Sequence, residues 1–236
     1  MSPATFRPIR ISAMYGAHVA LGARFKDDGD WRVPDAYTSA RQEAAEALAA
    51  VGLADTSACG KLTVRGEALG PVLAKAAGVD RLAVGTATRV RINGAGVLVG
   101  RLADDELLVL TPLADAAAVG EVLAKSAGAG CAHVTDLTSG LAVMDLIGPR
   151  VGGLLAKVAP VDLSEGAVPA LAVVQGELAR VPAILIRLDR TPALAFRALV
   201  ARECGAFVWE ALVDAGRDLG LTPIGAAACA LLNGSE

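Results

Sequence analysis

The feature that most constrains this chain is an internal repeat. Residues 73–80 (LAKAAGVD) read again at 155–162 (LAKVAPVD), an offset of 82 residues that also relates Gly66 to Gly148. Solenoid repeats have periods of roughly 20–50 residues, so this longer period does not fit a stacked solenoid. It indicates two copies of a small α/β unit fused into one body, with chance matching among abundant Ala, Leu, Val and Gly as the alternative. A fused pair has a crevice at its seam, where small-molecule sites preferentially lie.

The composition indicates a globular chain that binds neither nucleic acid nor membranes. Of the 236 residues 54% are hydrophobic but only 3% aromatic, so Ala, Val and Leu must build the core. A net charge of −3 does not provide the basic face that nucleic acid requires. The apolar stretch 219–232 is shorter than the ~20 residues of a membrane span and contains Pro223. Because no apolar run follows Arg7 and Arg10, we expect no signal peptide and a cytoplasmic protein.

The cysteines and histidines predict no metal site. Cys59, Cys131, Cys204 and Cys229 are scattered, and His133 beside Cys131 has no second pair to complete a ligand set. We therefore expect reduced thiols and no bound metal.

Apolar periodicity predicts the same order of elements twice: a strand, a helix, hairpin-paired strands and a helix. In the first copy Asn93-Gly94 favours a tight hairpin turn, and Asp104-Asp105 is predicted as the solvated tip of the next hairpin. Short strands paired by hairpins, with helices between them, predict an antiparallel α+β fold. We divide the chain into an irregular, polar N-terminal arm (1–38), a first α/β half (39–126) and a second α/β half (127–236).

Five stretches occur in an order that resembles one known family. They are 31–37 (WRVPDAY), 52–61 (GLADTSACGK), 136–149 (DLTSGLAVMDLIGP), 209–216 (WEALVDAG) and 220–225 (GLTPIG). Together they resemble the folate-binding part of the glycine cleavage T-protein (aminomethyltransferase) family. The resemblance implies two duplicated halves around a central hole that holds tetrahydrofolate, without the C-terminal barrel domain of the T-protein. It also implies transfer of an aminomethyl or methyl group from an amine or methyl donor to the folate.

The resemblance places four residues where the family's pocket residues lie. We expect Tyr37, Cys59, Asn93 and Arg187 to contact the folate, although a structural role is an open alternative for each. The acidic hairpin motif of the family and its pterin-binding glutamate are missing. A buried carboxylate can match the donor edge of a pterin, so these losses matter. Asp189 is the candidate that could replace the lost acid.

The missing acids leave two functions open. The chain is a small folate-dependent transferase, or it is a non-catalytic subunit resembling the gamma subunit of heterotetrameric sarcosine oxidases. In the second case we expect a flavin-dependent oxidase subunit as its partner.

Overall fold

The structure, a computed structural model, describes residues 9–67, 69–128, 132–188 and 193–233. The helices are α1 (Tyr15–Ala20), α2 (Ala40–Ala49), α3 (Leu69–Ala77), α4 (Ala116–Ala127), α5 (Val151–Val158), α6 (Gly205–Gly216) and α7 (Ala226–Asn233). The strands are β1 (Arg10–Ile11), β2 (Arg24–Asp28), β3 (Trp31–Ala36), β4 (Val51–Asp55), β5 (Cys59–Gly66), β6 (Ala87–Ile92), β7 (Ala95–Ala103), β8 (Glu106–Pro112), β9 (Ala132–Asp136), β10 (Leu141–Ile147), β11 (Val173–Leu178), β12 (Val181–Leu188), β13 (Ala195–Ala201) and β14 (Leu221–Ile224). Within these residues, no helix has the length and apolar character to cross a membrane.

The predicted duplication is present. The first unit runs β4–β5–α3–β6–β7–β8–α4, and the second unit repeats that order as β9–β10–α5–β11–β12–β13–α6. Both copies leave their second strand through a glycine with positive φ, Gly66 at 156° and Gly148 at 138°. A β-carbon on Gly148 would lie 2.4 Å from the carbonyl oxygens of Ala47 and Ala50, so only glycine fits there.

Each unit gives its first strand to the sheet of the other. Strand β9 pairs with β5 in a sheet ordered β6-β7-β8-β5-β9, while β4 pairs with β10 in a sheet ordered β11-β12-β13-β10-β4-β14. The strands also end alike. The Asp55 carboxylate accepts the Ser57 N–H at 2.9 Å, and the Asp136 carboxylate accepts the Thr138 N–H at 2.7 Å. The exchange means that each sheet is completed by a strand of the other unit.

The two sheets face each other between outer layers of helices. Leu98 and Leu110 of the first sheet pack with Val143, Ile186 and Leu199 of the second in a central core. Separate cores lie under α3 and α4 on one side and under α5 and α6 on the other. The units meet through symmetric backbone bonds, from the Ala87 N–H to the Leu171 carbonyl and from the Val173 N–H to the Gly85 carbonyl. This meeting line is called the seam below.

The prediction of an irregular N-terminal segment is wrong for residues 10–36. Helix α1 and strands β1, β2 and β3 lie there, and Trp31 in β3 is buried. Strand β2 is almost entirely exposed, so its sequence has no apolar alternation to reveal it. The predicted start of α2 is confirmed, because the Ser39 hydroxyl accepts the Gln42 N–H at 3.3 Å.

The two equivalent hairpin turns differ in sequence and provide a test of the duplication. Asn93 and Gly94 have φ of 51° and 82°, and the matching residues Ala179 and Arg180 have φ of 51° and 66°. Non-glycine residues other than Asn and Asp pay roughly 1–2 kcal/mol in this region. Ala179→Asn with Arg180→Gly should therefore raise the free energy of unfolding by about 1 kcal/mol, as measured by urea denaturation. The reciprocal change at residues 93 and 94 should lower it, and equal effects of the two exchanges would contradict this reasoning.

Candidate functional site

A cavity of about 370 Å³, called the seam cavity below, lies between the two sheets. Its walls include Leu98, Leu110 and Pro112 from one sheet, and Arg197 reaches it from β13 of the other sheet. Cys59, Arg89 and Thr111 are the other lining residues with polar side chains. Ligand pockets have volumes of roughly 300–1,000 Å³ and mostly apolar walls with a few polar groups, which matches this seam cavity.

The guanidinium of Arg197 is held by a buried carboxylate. Arg197 Nε donates to Asp145 Oδ1 at 2.7 Å and Nη2 donates to Oδ2 at 2.8 Å, a bidentate pair between registered residues of β13 and β10. Asp145 is 1% exposed and also accepts the Thr56 hydroxyl at 3.3 Å. Burial acts to lower the pKa of Arg197, but the Asp145 carboxylate outweighs it and raises that pKa. The guanidinium at the cavity wall is therefore cationic and fixed in orientation.

A buried lysine lies next to the cavity. Lys61 is fully buried, its Nζ donates to the Ser57 carbonyl at 2.6 Å, and it lies 5.6 Å from the centroid of the Trp31 ring. Burial lowers the pKa of Lys61 and raises the pKa of the Cys59 thiol. Cys59 is therefore a neutral thiol in the cavity wall at neutral pH. Among the described side chains, no group of three His, Cys, Asp or Glu is placed to hold a metal ion.

Tyr37 is part of a chain of hydrogen-bonded side chains in the N-terminal segment. Its hydroxyl is 2.8 Å from His18 Nδ1, and His18 Nε2 is 2.9 Å from Asp55 Oδ2. The His18 ring also packs edge-on against Trp209, with centroids 4.7 Å apart. Burial raises the pKa of Tyr37. Burial also acts to raise the pKa of Asp55, but its interactions with His18, Ser12 and Ser57 together outweigh burial and lower that pKa. These bonds tie α1 to β4, and Tyr37 is not among the residues that line the cavity.

Arg187 makes a contact that the duplication repeats. Its Nη1 donates to the carbonyls of Val168 and, at 2.8 Å, of Glu165. At the equivalent place in the first unit, Arg101 Nη1 donates to the Leu82 carbonyl at 2.9 Å. An arginine that recurs with the same partner in both units holds the loop before β6 and β11.

The other predicted residues are dispersed. Asn93 is exposed at the tip of the β6–β7 turn, away from the lining residues, and Asp189 lies outside the described residues. Cys59 is therefore the one of the four predicted folate-binding residues that lines the cavity. Sequence reasoning missed Arg197 and Asp145. Their signal is a single charge in an otherwise apolar strand, in AFRALVA for β13 and LAVMDLI for β10.

The fold and the site define a class: a protein of two strand-exchanged α/β units with a ligand-sized cavity between its two sheets. The model of the GCVT N-terminal domain matches residues 14–233, and the chain belongs to this family. It is 31% identical over 225 residues to an aminomethyltransferase of Streptomyces coelicolor, covering 92% of this chain and 60% of that protein. It is 29% identical over 240 residues to the sarcosine oxidase subunit alpha of Corynebacterium sp. strain U-96, covering 92% of this chain and 25% of that one.

Solved structures agree with this assignment. The aminomethyltransferase T of the glycine cleavage system from Bartonella henselae superposes with a TM-score of 0.81 at 21% identity, over 93% of this chain and 60% of that one. A chain of the heterotetrameric sarcosine oxidase from Corynebacterium sp. U-96 gives a TM-score of 0.64 at 25% identity, over 78% of this chain and 93% of that one. The predicted family and α+β fold are confirmed, and the chain spans about 60% of the length of the aminomethyltransferases it matches.

Proposed function

We propose that this protein binds tetrahydrofolate in the seam cavity and takes part in transferring an aminomethyl or methyl group from a small amine or methyl donor. The observation that carries the proposal is the ligand-sized seam cavity with a fixed guanidinium in its wall, in a member of the GCVT N-terminal domain family. Tetrahydrofolate supplies the nitrogen that accepts the one-carbon group.

The residues present fit the ligand in part. Apolar walls at Leu98, Leu110 and Pro112 suit a flat heterocycle, and the cations Arg89 and Arg197 suit the carboxylates of the folate tail. None of the described residues that line the cavity is an acid, so the donor edge of the pterin has no carboxylate there. Asp189 remains our candidate for that acid.

The protein's own residues then act by binding and orientation. Arg197 donates hydrogen bonds from a fixed position, and the apolar walls exclude water from the ligand's ring. Cys59 contributes a neutral thiol contact. Tyr37 and Arg187 contribute indirectly, because they fix the N-terminal segment and the loop before β11. Asn93 contributes through the shape of the β6–β7 turn.

Calorimetric titration with tetrahydrofolate, kept reduced, tests this proposal. We expect Arg89→Ala to weaken binding about tenfold, the loss of one charge-assisted hydrogen bond. Arg91→Ala is the matched control, because Arg91 lies two residues along the same strand, bonds to the Gly94 carbonyl and does not line the cavity. If the folded protein gave no heat of binding with tetrahydrofolate, the proposed folate-binding function would be wrong.

A second function is favoured by one observation. The match to a chain of a heterotetrameric sarcosine oxidase covers 93% of that chain, so a domain of this extent occurs as a component of a larger oxidase. We propose as the alternative that this protein is a non-catalytic, gamma-like subunit beside a flavin-dependent oxidase chain. Co-purification of the tagged protein with a flavin-containing chain would support the alternative, and a stable monomer that turns over an amine donor would contradict it.

A further inference from the structure

The second unit has a surface pocket where the end of α5, the β11–β12 turn and the start of α6 meet. Its volume is about 630 Å³, and Val158, Ala159 and Pro160 give it an apolar wall. None of its described lining residues also lines the seam cavity. We call it the α5–α6 pocket, a second concave surface that the proposed function does not use.

An exposed aromatic ring lies at this pocket. Among the large hydrophobic side chains of the described residues, Phe207 is the most exposed, at 57%, and it lines the α5–α6 pocket. Phe207 is the third residue of α6, and the third residue of the equivalent helix α4 is Ala118. The helix that the two units share therefore does not require an aromatic ring there. Aromatic rings are enriched where one protein surface contacts another.

The β11–β12 turn has a strained backbone at the rim of the pocket. Ala179 and Arg180 both have positive φ, a conformation that the first unit forms with the better suited Asn93-Gly94. The Ala179 N–H donates to the Val158 carbonyl at 2.7 Å, which fixes the turn against the end of α5. Backbone strain of this kind clusters at functional positions. The side chain that this turn presents at the rim is Arg180.

The rim also carries one cation and one acid without partners. Within the described part of the chain, the exposed side chains of Arg180 and Glu177 make no hydrogen bond or ion pair. Lys157, the other cation of the rim, is already paired with Asp218 at 2.5 Å. Adjacent opposite charges match a second copy of the same surface turned by a two-fold rotation, because each charge then meets its opposite.

We propose that the α5–α6 pocket is the contact surface of a homodimer. Phe207 of each copy packs into the pocket of the other copy, and Arg180 of each copy pairs with Glu177 of the other. A two-fold contact uses the same patch on both chains, so the patch must be complementary to itself. This patch contains both a ring and a hollow, and both a cation and an acid. The seam cavity takes no part, so the inference is independent of folate binding.

Sedimentation equilibrium of the protein from about 1 µM to 1 mM measures the dimer. We expect Phe207→Ala, which introduces the residue of α4, to raise the dissociation constant at least about tenfold, because one substitution removes two rings from the contact. Leu231→Ala is the matched control, since Leu231 is 49% exposed on α7 and does not line the pocket. It should change the dissociation constant by less than about twofold.

An exchange of charges tests the two-fold arrangement. Arg180→Glu brings four acids together at the contact and should weaken the dimer at least about tenfold. Combining it with Glu177→Arg restores one cation and one acid on each copy. The dissociation constant should then return to within about threefold of that of the unaltered protein. A double variant as weak as Arg180→Glu alone would show that these charges do not face each other, and the arrangement would be wrong.

A variant of the turn separates dimerisation from damage to the fold. Ala179→Asn with Arg180→Gly should raise the free energy of unfolding and still weaken the dimer, because the Arg180 charge is lost. An unchanged or tighter dimer in this variant would contradict the proposal. If the unaltered protein is a monomer at every concentration, the proposal is wrong. Loss of a co-purifying chain in Phe207→Ala would then assign the surface to that chain instead.

Discussion

Arg197→Leu should lower the free energy of unfolding by about 3–5 kcal/mol, because it leaves the Asp145 carboxylate buried without its cation. Asp145 is 1% exposed, and it also accepts a hydrogen bond from the Thr56 hydroxyl. Adding Asp145→Thr should recover most of the loss, since Thr63 and Leu108 occupy the equivalent registered positions on β5 and β8 of the first unit. Urea denaturation of the two single variants and the double variant measures this coupling.

The first unit contains a second cross-strand pair of an arginine and a carboxylate, which serves as a control because its arginine is exposed. Arg65 and Glu106 are registered partners on β5 and β8, joined at 2.8 Å, and the Arg65 side chain is 69% exposed. Arg65→Leu should cost less than about 1 kcal/mol, because the Arg65 side chain is largely exposed and solvent screens its charge. If Arg65→Leu and Arg197→Leu destabilise the protein equally, burial of Asp145 is not the cause.

The elements of both units other than β4 and β9 could be predicted from sequence, because they depend on local patterns. The alternation of Thr88 to Ile92 and the Asn93-Gly94 turn specify a hairpin whatever surrounds them. The exchange of β4 and β9 between the sheets could not be predicted. Asp55 and Asp136 end equivalent strands, but strand pairing depends on distant partners that no short pattern identifies.

The candidate site was harder to predict from sequence because the offset between the two copies changes along the chain. The offset is 82 residues between β5 and β10, but Ala87 matches Val173 and Glu106 matches Ala195, offsets of 86 and 89. A sequence comparison at the constant offset of 82 residues therefore does not align Arg197 with Leu108. Arg187 is predicted as a folate-binding residue from the family resemblance. In the structure, Arg187 and the equivalent Arg101 each bind a backbone carbonyl of a loop, a contact that the sequence does not reveal.

Glu43 should contribute more to the free energy of unfolding than a glutamate in the first turn of a helix usually does. Its side chain is fully buried, and Oε1 accepts the N–H groups of Tyr37 at 2.7 Å and Thr38 at 2.8 Å. Its Oε2 accepts the Gly225 N–H at 2.8 Å, across 182 residues of sequence. One carboxylate thus joins the exit of β3 to the segment between β14 and α7.

Glu43→Ala should lower the free energy of unfolding by about 3–5 kcal/mol, because three backbone donors lose their acceptor in a dry environment. The chain cannot easily relax around them. A β-carbon at Gly225 would lie 2.1 Å from the Asp35 carbonyl, so the backbones already touch there. Glu46→Ala is the matched control on the same helix, since Glu46 accepts only the Gln42 amide in a solvent-exposed hydrogen bond, and it should cost less than about 0.5 kcal/mol. Equal midpoints for the two variants in urea denaturation would show that water replaces the Glu43 carboxylate, and that the tie between β3 and α7 contributes little.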